Sequence, residues 1–129
     1  MTEANTGLRG DVNVLHQTIE STAVSITTSA TQIIAPVSGI RFNAGSLVVY
    51  NGGTGGTLTL RVFGQNRQAA GTVGGASSGW SQIGNDITVT TGTSANAQWT
   101  GVYKKIAVIG LMGTGTATDV VVDMLLVQQ

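Results

Sequence analysis

The residues of this chain that could carry chemistry are few, and their spacing argues against each reaction in turn. Gly75-Ala76-Ser77-Ser78-Gly79 spells G-x-S-x-G, the pattern that raises a nucleophilic serine on a sharp strand-to-helix turn. That chemistry also needs an acid and a histidine later in the chain. The single histidine, His16, comes earlier, and no helical pattern follows Gly79. The stretch therefore reads as a loop of small residues. The six carboxylates are Glu3, Asp11, Glu20, Asp86, Asp119 and Asp123. Asp119 and Asp123 fall on one face of a strand, about 13 Å apart at a rise of ~3.3 Å per residue. Glycoside hydrolysis needs carboxylates roughly 5–9.5 Å apart.

Other sites fail on ligands or context. With no cysteine and one histidine, a transition-metal site lacks donors, and no acidic loop has the calcium-binding pattern. The Gly-rich stretches 52–56 and 110–115 would need a helix N-terminus behind them to cradle phosphate, and they lie between strands. Arg9-Gly10-Asp11 spells an integrin-type tripeptide, but three-residue matches are common and this one sits in a polar arm. The expectation is a non-enzyme with no catalytic residue, cofactor or metal. Trp80, Trp99, Tyr50 and Tyr103 are the aromatics that could form a sugar-stacking platform, if two or more are exposed and coplanar. Large aromatics on alternating strands are more often core.

The elements that would position these residues are strands. Residues 1–11 are polar and read as an extended arm, and 12–19 fit a strand or a short helix capped by Asp11, with a strand preferred. AVSITT and TQIIAP are β-branched strands, and Ile40 and Phe42 form a further alternating pair. SLVVYNGGTGGTLTLRVFG reads as two strands about an Asn-Gly hairpin turn, with Leu58, Leu60 and Val62 inward. Leu47–Tyr50 is apolar on both faces, which implies cover on both sides or a contact with another subunit. Residues 64–79 form a long, small-residue loop, a length associated with function or mobility. Trp80–Ile83 and Ile87–Val89 are short strands. The expected organisation is a single β-sandwich domain over 22–129 preceded by an arm over 1–21. The sandwich is all-β, antiparallel and jelly-roll-like, with eight or nine short strands.

The densest apolar run lies in WTGVYKKIAVIG-LMGTGTAT-DVVVDMLLVQ. Read as a hairpin, it sets Ile106 and Val108 against Val122 and Val120 on the core face, with Met124. On the outer face it sets Lys105 against Asp123 and leaves Ile109 and Val121 unexplained in a monomer. A β-bulge at Thr100-Gly101 would let Trp99 point inward together with Val102 and Ile106. The candidate interaction surface is Leu8 and Arg9 of the arm with Val48, Tyr50, Ile109 and Val121.

Composition narrows the partners. Charged residues are 9% of the 129, apolar residues 41%, and formal net charge is zero. An ordinary soluble domain carries about 25% charged residues. A neutral chain gains little from counterion release, which argues against nucleic acid. It also has little protection against self-association. No window is long and apolar enough to span a bilayer as a helix, and the N-terminus has no signal-peptide pattern.

At ITTSATQIIAP, LVVYNGG, WTGVYKKIAVIG and ATDVVVDMLLVQ, over about residues 22–127, the sequence resembles small β-sandwich virion proteins of tailed phages. The likeness lies in composition and turns. It implies a structural virion protein, foremost a capsid decoration (cement) protein stabilising the shell. The other role it implies is a carbohydrate- or receptor-binding module of a tail. The implied partners are the major capsid protein or other virion proteins, together with further copies of the chain, a trimer being favoured. The implied location is the capsid surface. The resemblance carries no site motif, so no functional residue is transferred.

Overall fold

Period-two alternation is realised in nearly every long strand, and it sorts the chain into one apolar interior and two outer faces. The structure is a computed structural model and describes residues 16–53, 55–67, 71–75 and 78–129. Ten strands form among the described residues. They are β1 His16–Glu20, β2 Val24–Ile26, β3 Thr31–Ser38, β4 Ala44–Asn51, β5 Thr57–Gln65, β6 Trp80–Gln82, β7 Ile87–Thr90, β8 Ser94–Thr100, β9 Lys105–Met112 and β10 Ala117–Val127.

The first sheet has the order β1-β10-β4-β8, with β2 also on β10; the second has β3-β9-β5-β6, with β7 also on β5. β1 and β2 occupy successive stretches of β10, as β6 and β7 do of β5. The ten strands thus fill eight positions, four in each sheet. Apart from the β1–β2 step within the first sheet and the β5–β6–β7 run within the second, each strand lies in the opposite sheet from the one before it. This is a jelly roll, two antiparallel sheets face to face. Residues 16–20 belong to it, paired with Val127 back to Asp123 of β10.

The expected core is present. Leu58, Leu60, Val62, Ile106, Val108, Val120, Val122 and Met124 are all buried in one cluster. They reach it from different sheets, however, and that overturns both expected hairpins. β9 pairs with β3 and β5, whereas β10 pairs with β1, β2 and β4. Lys105 therefore lies opposite Ser38 and Gln65, and Asp123 opposite Glu20 and Val48, so the expected Lys105–Asp123 pair does not form. The bulge at Thr100-Gly101 is likewise replaced by a crossing. The chain leaves β8 in the first sheet, turns at Gly101 with φ of 122°, and enters β9 in the second. Val102, expected in the core, is on that crossing and 53% exposed.

The Asn51-Gly52 turn is also a crossing. β4 and β5 are in different sheets, and the left-handed residue of the loop is Gly56. Asn51 is fully buried instead, and all four of its hydrogen-bonding groups are used. Its side-chain amide donates to the Val89 carbonyl at 3.1 Å, and its Oδ1 accepts from the Gly53 N–H at 3.0 Å. Its backbone N–H donates to the Thr93 carbonyl at 3.1 Å, and its carbonyl accepts from the Gly92 N–H at 2.7 Å. One side chain thus pins the end of β4 to β7 in the opposite sheet.

At the other end the aromatics seal the interior. Gly45 lies directly opposite Trp99, whose indole covers it so closely that a Cβ there would sit 2.3 Å from Cζ2. Tyr103 covers Gly64 in the second sheet in the same way, with a Cβ to Cδ1 distance of 2.4 Å. Trp99 Nε1 is buried without a hydrogen-bond partner, so packing rather than hydrogen bonding holds that ring.

Replacing Asn51 by Ala leaves a buried donor and acceptor unpaired, each costing about 1–3 kcal/mol. We expect N51A to lose roughly 2–4 kcal/mol in urea unfolding. A loss no larger than that of an exposed control, such as Asn96→Ala, would show that the pin is not needed.

Candidate functional site

The two outer faces of the sandwich differ in a way that alternation alone does not impose. Along the outer side of the second sheet, Phe63 and Gln65 of β5 and Ala107 and Ile109 of β9 are buried. Their cover is the chain between β5 and β6. A Cβ on Gly74 would meet Phe63 Cζ at 2.9 Å, and Thr72 and Val73 line an open hollow of about 590 Å³ with Ile109, Trp80 and Gln32. Ser78 locks the return: its hydroxyl donates to the Gly75 carbonyl at 2.6 Å, and its own carbonyl accepts from Gln65 Nε2 at 2.8 Å. In its described residues the long loop is thus an ordered cover. Ser77, the central serine of G-x-S-x-G, lies outside the described residues.

The first sheet has no such cover among the described residues. Registered pairs place Thr18, Leu125, Ser46 and Gln98 in one outward row, and Glu20, Asp123, Val48 and Asn96 in the next. Val121, Tyr50 and Ser94 form a third. Val48 is 51% exposed, Tyr50 42% and Leu125 37%, with Val121 half-buried beside Tyr50. The other large exposed apolar residues, Ile40 and Val102, border a small hollow at one end of the sandwich. Glu20 and Asp119 lie at the edge of this apolar group and Asp123 within it, opposite Val48; all three are exposed.

Of the residues expected in the interaction surface, Val48, Tyr50 and Val121 come together on this face. Leu8 and Arg9 lie outside the described residues, as does Arg9-Gly10-Asp11. Ile109 needs correction. The hairpin reading puts it on the same outer face as Val121, but the two strands are in different sheets, so Ile109 is on the opposite side of the molecule and only 8% exposed under the loop. Leu125 was missed, although it continues the odd-numbered alternation of Val121 and Asp123.

The aromatics do not assemble a sugar platform. Tyr50 is outward on the first sheet, Trp80 half-buried outward on the second beside Gln65, and Trp99 and Tyr103 close the interior. No two of them are exposed on one face. Nor do the described residues contain a group of three or more His, Cys, Asp or Glu able to hold a metal.

Cations gather elsewhere. Arg67, Lys104 and Lys105 border a cavity of about 80 Å³ with Gln65 and Asn66. The Lys104 N–H donates to Asn66 Oδ1 at 3.0 Å, which holds the two segments together. The described ion pair is separate: Arg61 Nε to Asp86 Oδ1 at 3.0 Å on the outer side of the second sheet, with Gln82 Nε2 donating to the same oxygen at 2.8 Å.

No protein-family model matches the chain, and no curated protein sequence does. Solved structures share the fold. The chain is similar to the protein of Bacillus endospore appendages, described as a novel family of disulfide-linked pili, with 18% identity and a TM-score of 0.56. That likeness covers 90% of this chain and 89% of the other. It is also similar to PirA, with 10% identity and a TM-score of 0.52 over 89% of this chain and 93% of that one. At these identities the likeness establishes the sandwich and nothing about activity.

Asp86 supplies a pH prediction. The Arg61 and Gln82 hydrogen bonds hold its carboxyl below the usual 3.8. A lowered folded pKa adds stability that is present above the unfolded value and lost as pH falls through the folded one. The pair is exposed, so the effect is small. Asp86→Asn should be slightly less stable than the parent above about pH 4 and should match it in stronger acid, read as thermal midpoints across pH. A constant offset at every pH would assign the difference to something other than ionisation.

Proposed function

We propose that this chain is a structural subunit of a larger assembly, foremost a capsid decoration protein of a virion, which docks through the outer face of its first sheet. The observation that carries this reading is the unequal treatment of the two outer faces. The chain spends a loop of its own on covering Phe63, Ala107 and Ile109, yet leaves Val48, Tyr50 and Leu125 exposed in adjacent rows. Exposed apolar groups clustered and rimmed by polar residues mark interaction sites, whereas scattered ones do not. Tyr suits such a contact, since its ring buries large area and its hydroxyl stays satisfied.

Low charge supports the same reading. With 9% charged residues and zero net charge, the surface loses little solvation on being covered. The endospore-appendage protein of similar fold builds disulfide-linked pili; this chain has no cysteine, so disulfides do not join its contacts. The resemblance to tailed-phage virion proteins directs the proposal to a capsid, with the major capsid protein or other virion proteins and further copies of the chain as partners, and the capsid surface as location. In this reading the part of the arm that precedes β1, residues 1–15, reaches toward a neighbouring subunit, with a trimer as the favoured oligomer.

Light scattering after size exclusion, followed by electron microscopy of the protein mixed with virion shells, tests the proposal. Oligomers or decorated shells are expected, and the paired change Val48→Ser with Tyr50→Ser should abolish them while the variant stays folded, its unfolding free energy within about 2 kcal/mol of the parent. Deleting residues 1–11 should weaken shell occupancy. A monomer without affinity for shells would overturn the proposal.

A further inference from the structure

Apart from the Arg61–Asp86 pair and Arg41 in the β3–β4 connection, the described charges of this neutral chain are segregated. The outer face of the first sheet carries Glu20, Asp119 and Asp123 and no Lys or Arg among the described residues. Its one basic candidate, His16, stands at the far end of β1 opposite Val127. Glu20 and Asp123 are direct cross-strand partners, a like-charge pair that disfavours the sheet in isolation. Neither makes an ion pair with a described residue. On the other sheet, Lys105 is outward beside Gln65, and Arg67 and Lys104 adjoin it around the small cavity, again with no described acid in contact. The two clusters lie on opposite sides of one sandwich.

We propose that the partner on the acidic apolar face is a second copy of this chain, which presents its Arg67–Lys104–Lys105 cluster to Glu20 and Asp123. This rests on the reading of that face as a docking surface and names what docks there. Charge complementarity carries it: among the described residues each copy has one anionic pair and one cationic group without an opposite charge in contact, complementary in sign. Bringing them together removes the Glu20–Asp123 repulsion, while Val48, Tyr50 and Leu125 supply apolar area at the same contact. Because the two patches differ and face opposite ways, the contact is heterologous. A copy bound by one patch keeps the other free, so the contact propagates into a row or ring rather than closing as a two-fold dimer.

Sedimentation velocity of the full chain over a concentration series, at low and high salt, tests this with two charge-reversed variants. One is E20K with D123K; the other is K104E with K105E. All four positions are exposed, so the fold is retained, and circular dichroism checks it. Wild type should self-associate, less so as salt screens the contact. Each variant alone should associate at least tenfold more weakly, since its two patches now repel. An equimolar mixture of the two should recover association, because the reversed face of one matches the reversed cluster of the other.

Failure of the mixture to exceed its components overturns the inference. So does wild-type association by the K104E/K105E variant, which would leave the face to the N-terminal arm or to another virion protein. A wild type that stays monomeric but decorates shells also removes the second copy while keeping the docking reading. A wild type that does neither removes both.

Discussion

Outside the β5–β6–β7 run in the second sheet and the short β1–β2 step in the first, successive strands lie in opposite sheets, so the connections between them cross the sandwich, and much else follows from that constraint. A crossing carries backbone polar groups past the edge of an apolar interior, where they must find partners. Asn51 meets this need at the β4 end, with four groups satisfied at once and a side chain bonded to the carbonyl of Val89 in the facing sheet. At the opposite end the crossing from β8 to β9 is bracketed by Trp99 and Tyr103, each laid over a glycine of its neighbourhood. One end is held by hydrogen bonds and the other by ring packing.

The same topology decides which surfaces are free. Each sheet turns one face to the common core and must do something with the other. The second sheet is covered by the chain between β5 and β6, whose small residues let backbone lie close on Phe63 and Ile109. The first sheet has no equivalent among the described residues, since apart from the short β1–β2 step its connections all lead to the other sheet. Its outer residues therefore stay as alternation placed them, apolar groups interleaved with carboxylates.

Sequence and structure agree where an argument depended on period two alone. The inward sets on β5, β9 and β10 are correct, because a strand has only two faces and the more apolar one is buried whatever it pairs with. The both-sided apolar character of Leu47–Tyr50 also survives, with Leu47 and Val49 buried and Val48 and Tyr50 exposed. Pairing was not legible. Two apolar strands joined by a Gly/Thr loop satisfy a hairpin and a sheet-to-sheet crossing equally well, since both bury the same residues. Lys105 with Asp123 was a register argument built on that choice, and it fell with it.

Alternation, turn residues, low charge and the want of a catalytic constellation are thus properties of the amino-acid order itself: they depend on neighbours two to four residues apart. They determined an all-β sandwich and its core. The partner of each strand, the burial of Ile109 under a loop, the meeting of Glu20 with Asp123 and the separation of acidic face from basic cluster join residues far apart in the chain. Only the tertiary structure decided those, because long-range pairing is chosen by how two whole sheets close over one interior, and no local pattern records it.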